Sequence, residues 1–205
     1  MKIYDISKLL DKKTAIYPGN PKFEIQKVKE INKDGYNLSS FSMGTHFGTH
    51  LDSPLHFIEG GEDISSIDLS YLVGYCNVLN LENVVSCIRK EDLEKLTIDT
   101  NIVVLKTKNS NVPYNKFSEY FIYLDQSAIE YVVDRRVTLL CTDGPSVKER
   151  GKKDFQHKYL FENGVYIIEG VDLKGINEGK YFFVALPLKI KGADGSPSRV
   201  ILIKE

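Results

Sequence analysis

Residues Gly44 to Phe57 read Gly-Thr-His-Phe-Gly-Thr-His-Leu-Asp-Ser-Pro-Leu-His-Phe and contain three of the four histidines of the chain. In an extended segment, side chains at alternate positions project from one face. Four residues with ligand-type side chains share this spacing: His46, His50, Asp52 and His56. Pro54 lacks an N–H donor, so the whole run cannot be a central strand. The stretch therefore predicts the end of a strand that passes into a tight loop.

The side chains in this stretch are typical of a metal site. Imidazole nitrogens and carboxylate oxygens suit zinc above all, and manganese, iron and cobalt accept them too. The alternative is that histidines on a strand face are polar residues satisfied by hydrogen bonds. The short spacing of four such residues between flanking Gly48 and Pro54 favours metal binding. Three ligands from His46, His50 and Asp52 leave one coordination position open, as catalysis requires.

Composition limits the class of protein. The chain has 205 residues, of which 42% are hydrophobic, and this length predicts one domain over residues 1–205. Its 27 basic and 28 acidic residues are mixed throughout, and the net charge is -1. This balance gives no sign of a nucleic-acid partner and favours a small substrate.

The chain contains no apolar run of signal-peptide or membrane-spanning length. This predicts a soluble cytoplasmic protein without a membrane partner. Three cysteines without CxxC spacing argue against a disulfide framework or a thiolate zinc site, and predict small buried side chains.

Hydrophobic patterning predicts more strand than helix in a single α/β domain. Helices are predicted over 86–96 and 126–134. Strands are predicted over 2–7, 14–17, 23–31, 75–81, 101–105, 137–141, 165–168, 181–190 and 199–203. The charged run Lys148 to Asp154 is typical of a solvated surface loop, and an anion-binding loop is the alternative. His157 is the one remaining histidine, and Glu169 ends a buried strand.

The run from His46 to Phe57 resembles the HxGTHxDxPxHF signature of the cyclase-like metal-dependent hydrolases, the family of bacterial kynurenine formamidase and isatin hydrolase. Other segments are similar to further family motifs, and together they cover nearly the whole chain. These segments are Tyr17–Pro21, Leu140–Ser146, His157–Gly170, and Leu186–Ile190 together with Asp194–Arg199.

The resemblance implies a β/β/α swivelling domain, with a strand-rich mixed sheet and few helices. It also implies two divalent metal ions per subunit, zinc or alternatively manganese. By the resemblance, His46, His50 and Asp52 bind one ion, and Asp52, His157 and Glu169 bind the second. Members form homodimers or larger homo-oligomers in which a neighbouring subunit helps to line the pocket.

The function that follows from the resemblance is hydrolysis of a C–N bond other than a peptide bond. The expected substrate is an aryl N-formyl amide, as in tryptophan catabolism, and a hydroxide bridging the two metal ions is the expected nucleophile. His56 is the candidate general base and acid, with a ligand or hydrogen-bonding role as the alternative. Tyr17, Phe47 and Phe57 are candidate pocket walls for a flat aromatic substrate, and core packing is the alternative for each.

Three departures from the family pattern concern the substrate. Asn20 stands where the family usually has Asp. Lys148 stands after Pro-Ser-Val, where the family often has an acidic residue, and Tyr17 stands where kynurenine formamidases tend to have Trp. None belongs to the predicted metal ligands. Hydrolysis of another cyclic amide, imide or lactone is therefore an alternative, and so is a non-catalytic metal-binding protein of the same fold.

Overall fold

The computed structural model of the protein describes residues 1–204. Within this range, twelve strands and four short α-helices follow one another, with short 3₁₀ turns between some of them. The strands are β1 (Lys2–Asp5), β2 (Glu24–Lys29), β3 (Leu38–Ser42), β4 (His50–Asp52), β5 (Val73–Asn80), β6 (Cys87–Ile88), β7 (Ile102–Lys106), β8 (Tyr123–Leu124), β9 (Leu139–Thr142), β10 (Tyr166–Glu169), β11 (Gly179–Pro187) and β12 (Gly195–Lys204). The helices are α1 (Ile31–Asp34), α2 (Lys90–Leu93), α3 (Gln126–Asp134) and α4 (Gln156–Glu162).

One mixed sheet joins strands from both ends of the chain. Its order is β1-β12-β11-β5-β7-β9-β10-β4, and β4 also pairs with β12, so all of these strands except β1 close into a barrel. Strands β5, β7, β9 and β10 run parallel, and the remaining pairs are antiparallel. The predicted strand-rich mixed sheet with few helices is confirmed.

The central parallel strands are buried on both faces. In β7, Ile102 and Val104 pack into the cluster inside the barrel, whereas Val103 and Leu105 pack into a second cluster under the helices. A strand covered on both faces is apolar at every position, which explains the continuous hydrophobic run. On the outer side, Ala128, Ile129 and Val132 bury one face of α3. That helix begins at Asp125, whose Oδ1 accepts a hydrogen bond from the Ala128 N–H at 3.0 Å.

Two local predictions are wrong. Residues 14–17 form no strand, because Thr14 closes a turn onto Asp11 and the Ala15 N–H donates to the carbonyl of Tyr114. Residues 86–96 contain only the single helical turn α2. Cys87–Ile88 instead pairs in parallel with Tyr123–Leu124, and this tertiary pairing overrides the local helix preference.

Other local predictions are confirmed. Helix α3 has the predicted bounds, and the strands predicted elsewhere occur with shifts of a few residues at their ends. The three cysteines are free and buried. Within residues 1–204, every helix is too short or too polar to cross a lipid bilayer.

Strands β2 and β3 form a separate two-stranded arm. Ile25 and Phe41 are cross-strand partners on it, and their side chains are 45% and 58% exposed. Four more large apolar side chains on and beside this arm are exposed: Val28, Ile31, Tyr36 and Leu38.

Candidate metal centre

The predicted ligands His50 and Asp52 occupy the two ends of β4, the strand that closes the barrel. In the register of the sheet, His50 lies opposite Glu169 of β10 and opposite Pro197 of β12. Asp52 lies opposite Ile167 and Gly195. Because residues i and i+2 share a face, both ligand-type side chains point the same way.

A close backbone contact brings β10 up to this strand. Gly48 and Gly170 both have positive φ angles, 66° and 73°. A Cβ on Gly170 would lie 2.5 Å from the carbonyl oxygen of Gly48. Any larger residue at position 170 would push the two segments apart, so the approach of Glu169 to His50 requires glycine there.

Asp52 lies at the centre of the site and is 1% exposed. Its Oδ1 is 2.7 Å from His46 Nδ1 and 3.2 Å from His50 Nε2. Its Oδ2 is 3.7 Å from His157 Nε2. Glu169 completes the cluster, with Oε1 3.0 Å from His157 Nε2 and Oε2 3.8 Å from His50 Nε2. The structure thus brings all five predicted ligands together.

Hydrogen bonds on the far side of two imidazoles set their orientation. His50 donates from Nδ1 to the carbonyl oxygen of Gly48 at 3.1 Å. His157 donates from Nδ1 to Asp154 Oδ2 at 2.8 Å, and Asp154 Oδ1 also accepts from the His157 backbone N–H. Both rings therefore present Nε2 to the carboxylates, the arrangement in which an outer hydrogen bond fixes a metal-ligating histidine.

Asp194 is a site residue that the sequence analysis missed. Its Oδ2 accepts hydrogen bonds from His46 Nε2 at 3.0 Å and from His56 Nδ1 at 3.2 Å, while Oδ1 accepts from the Thr45 hydroxyl. The residue precedes Gly195, where a Cβ would lie 2.7 Å from His46 Cε1. Its position inside the turn of the carboxyl-terminal family motif was the available indication.

Asp154 was missed as well. It belongs to the charged run that predicted a solvated loop, yet it lines the site and holds His157. Aspartate is common both in solvated loops and just before helices, so its residue type alone does not separate these roles.

Charge in the site is balanced between imidazoles and carboxylates. Burial would raise the pKa of Asp52, but the charge of His50 and the hydrogen bond from His46 hold it well below its usual range. Burial would lower the pKa of His46 and His157, yet their bonds to carboxylates raise these values to about 9 and about 10. Burial lowers the pKa of His56, and the charge of Asp52 opposes this only in part. The carboxylates therefore stabilise positive charge at the centre.

The donor set fits a divalent metal ion, which would supply that positive charge in place of protons. Two groups have ligand atoms that all lie within 4.8 Å of one another: His46, Asp52 and His56, and His50, Asp52 and Glu169. Asp52 belongs to both groups. These groups divide the histidines differently from the ligand sets implied by the resemblance. The first group has His56 where the implied set has His50, and the second group has His50 where the implied set has His157.

A cavity that is open to solvent lies over the cluster. Tyr17, Asn20 and Phe57 line it together with the histidines and Lys148. The Phe57 ring stacks on His157 at a centroid distance of 4.6 Å. Phe47 lies elsewhere. It is 2% exposed and stacks on Phe23, a position that matches the core alternative for this residue.

The turn that carries Tyr17 into this cavity matches its predicted form. The Asn20 N–H donates to the Tyr17 carbonyl at 3.0 Å, and Gly19 has a φ of 97°. A Pro-Gly pair with positive φ at glycine is typical of a type II turn.

Comparisons with family models, curated sequences and solved structures all find proteins similar to this chain. The Cyclase family model (putative cyclase) matches residues 4–149. Kynurenine formamidase of Bacillus thuringiensis subsp. konkukian is 31% identical over 200 residues, covering 97% of this chain and 95% of the relative. A solved structure of a potential metal-dependent hydrolase with cyclase activity is 35% identical, with a TM-score of 0.88, and covers 100% of this chain and 98% of its own.

Isatin hydrolase A from Labrenzia aggregata has the same fold at 21% identity, with a TM-score of 0.85, covering 100% of this chain and 94% of its own. The family match, the whole-length similarity and the closed sheet around the histidine cluster agree with one another. The chain belongs to the Cyclase family.

Proposed function

We propose that this protein is a metal-dependent amidohydrolase that cleaves aryl N-formyl amides of the N-formylkynurenine type, releasing formate and the aryl amine. The observation that carries the proposal is the convergence of His50, Asp52, His157 and Glu169 beneath an open, aromatic-lined cavity. Whole-length similarity to proteins named kynurenine formamidase supports the substrate class.

The proposed cofactor is a pair of divalent ions, zinc or alternatively manganese. His46, His50 and Asp52 would hold one ion, and Asp52, His157 and Glu169 the other. When bound, such ions supply a Lewis acid that activates water at neutral pH and polarises a carbonyl group.

His56 is the proposed proton carrier. Its Nδ1–H donates to Asp194, which leaves Nε2 free to accept a proton from the attacking water. The same proton then passes to the departing nitrogen as the C–N bond breaks, so His56 ends the cycle in its starting state. Tyr17 and Phe57 would hold the substrate ring, whereas the placement of Phe47 in the interior argues for a packing role.

The experiment that tests the proposal combines metal analysis with a substrate panel. Purified protein is assayed for zinc and manganese, and then for turnover of N-formylkynurenine, formanilide, isatin and an aryl lactone. We expect turnover of N-formylkynurenine, its loss after chelation and its return when the metal is restored. Turnover of isatin or the lactone without turnover of either formamide would replace the formamidase assignment by that of a cyclic-amide or lactone hydrolase. Metal binding without any turnover would favour a non-catalytic metal-binding protein.

Asp194 is proposed as a positioning residue for His56. Asp194→Asn weakens an acceptor while keeping the shape, so we expect kcat to fall about 10–100-fold with little change in KM, as for other outer partners of metal ligands. A double-mutant cycle checks the mechanism: in the His56→Ala background the same change should cost less, because only the part that acts through the hydrogen bond to His46 remains. Full additivity of the two changes would contradict the assignment.

Homo-oligomer formation is a further part of the proposal, and the face of the β2–β3 arm that carries Ile25 and Phe41 is the candidate interface. Phe41→Lys places a charge among its apolar side chains, so we expect dimer dissociation to become easier by at least about tenfold, about 1.4 kcal/mol. Sedimentation of the protein over a range of concentrations measures this. Ser40→Lys, on the opposite face of β3, is the matched control and should leave the dimer intact. A wild-type monomer at all concentrations would exclude the interface.

The remaining expectations belong to the same proposal. One domain over residues 1–205, a cytoplasmic location and a place in tryptophan catabolism stay predictions.

A further inference from the structure

A second cavity adjoins the metal centre. It shares Tyr17, His46, His50 and Pro145 with the cavity over the cluster. Away from the shared wall, aromatic rings line it, among them Tyr114, Phe117 and Phe121. A flat ring that reaches the ligands from this side would therefore contact apolar surface.

Lys8 brings a positive charge to this cavity. Its backbone N–H donates to Thr49 Oγ1 at 2.9 Å, and the Thr49 hydroxyl donates to the carbonyl oxygen of Gly170 at 2.7 Å. Its Nζ lies 3.8 Å from the place that a Cβ on Gly170 would take, and Gly170 lines the cavity too. The lysine is therefore anchored to the segments that carry His50 and Glu169.

The ammonium group of Lys8 has unused hydrogen-bonding capacity. Within residues 1–204, no carboxylate oxygen lies within 4.0 Å of its Nζ, and Nζ donates no hydrogen bond. Burial lowers the pKa of Lys8, while the more distant charges of Asp143 and Asp172 oppose this shift. A partly buried ammonium without a partner is costly, so an anionic ligand would be favoured beside it.

The cavity wall also contains an acidic residue, Asp143, whose carboxylate is already hydrogen-bonded within the protein. Asp143 accepts from the backbone N–H and the hydroxyl of both Thr107 and Ser110, at 2.7–3.1 Å. These four bonds use its carboxylate to hold the loop after β7. Lys116, the other lysine of the cavity wall, is exposed. Lys8 is therefore the partly buried lysine of the wall, and its ammonium can discriminate between ligands by charge.

We infer that Lys8 binds a carboxylate of the substrate, so that the enzyme prefers aryl formamides with an acidic side chain. The inference rests on the proposed formamidase function and adds a determinant of specificity to it. One partly buried ammonium in an aromatic cavity matches the charge of a single carboxylate.

The test compares N-formylkynurenine with its primary carboxamide, which differs in the carboxylate alone. For the metal-loaded wild type we expect kcat/KM to favour the acid by at least about tenfold, equivalent to about 1.4 kcal/mol. Lys8→Met should reduce this preference to within about twofold and leave the rate on the carboxamide unchanged. Lys8→Arg should keep the preference, and so should the control Lys116→Met.

A preference for the acid that survives in Lys8→Met would overturn the inference, and so would an equal loss on both substrates with the metal retained. If Lys8→Met does not fold, as judged by thermal melting, Lys8→Gln takes its place in the comparison. If the wild type shows no preference for the acid over the carboxamide, the inference is overturned. If the wild type hydrolyses neither compound, the proposed function fails separately. Calorimetric binding of kynurenine and kynurenine carboxamide to the metal-loaded protein then tests Lys8, and equal affinities would refute its role.

Discussion

Asp52→Asn is expected to lower kcat/KM for an aryl formamide by about 10³-fold or more and to reduce the metal content of the purified protein. The Asp52 carboxylate contacts His46, His50 and His157, so it is the one acidic group common to the whole cluster. The amide keeps the size but removes the negative charge that a divalent ion requires. Loss of about 4 kcal/mol of metal-derived stabilisation of the transition state corresponds to this factor. Elemental analysis and steady-state kinetics measure the two effects.

Asp143→Asn is the matched control for burial. Both aspartates are 1% exposed, but Asp143 bonds to Thr107 and Ser110 rather than to histidines. We expect this variant to retain metal at the wild-type level. Equal metal contents in Asp52→Asn and the wild type would refute the proposed role of Asp52.

His56→Ala is expected to lower kcat by about 10²–10⁴-fold, the usual contribution of general acid–base catalysis, while the metal content stays at the wild-type level. The side chain is 30% exposed and lines the cavity, so its removal leaves space that a small base can enter. Added imidazole should therefore restore part of the lost rate in a concentration-dependent way. Metal analysis of the same preparation separates proton transfer from ligation.

His50→Ala is the comparison for that experiment. His50 is 5% exposed and lies between Asp52 and Glu169, so its loss should remove metal and should not be rescued by imidazole. If His56→Ala also loses metal, His56 is a ligand, as its distance to His46 and Asp52 allows. If it keeps both metal and full rate, His56 has no part in proton transfer.

Much of the site could be predicted from residue types alone. Three histidines and Asp52 lie within one short stretch, and the ligand chemistry of imidazole and carboxylate does not depend on the fold. Strands β5, β7 and β9 could be predicted because burial on both faces requires an unbroken apolar run. Helix α3 could be predicted from its apolar face.

Other features depend on neighbours that are distant in sequence. Residues 86–96 were predicted as helix because the apolar spacing around Ile88 and Leu93 suits a helix, but pairing with β8 makes Cys87 and Ile88 a strand. Asp154 and Asp194 were missed because aspartate is frequent in turns and loops. Their roles follow from the positions of His157 and His56 in space.

The ligand types, their close spacing, the apolar strands and the family were readable in the linear chain, because each is encoded in neighbouring residues. The meeting of Asp52 with His157 and Glu169 was decided by tertiary structure. It requires β4 to pair with β10 on one side and with β12 on the other, closing the barrel. Those pairings depend on backbone hydrogen bonds and on the glycine contact between positions 48 and 170, which no local pattern of side chains specifies. The sheet also places Asp194 and Lys8 beside the centre, since Asp194 directly precedes β12 and Lys8 follows β1, which pairs with β12.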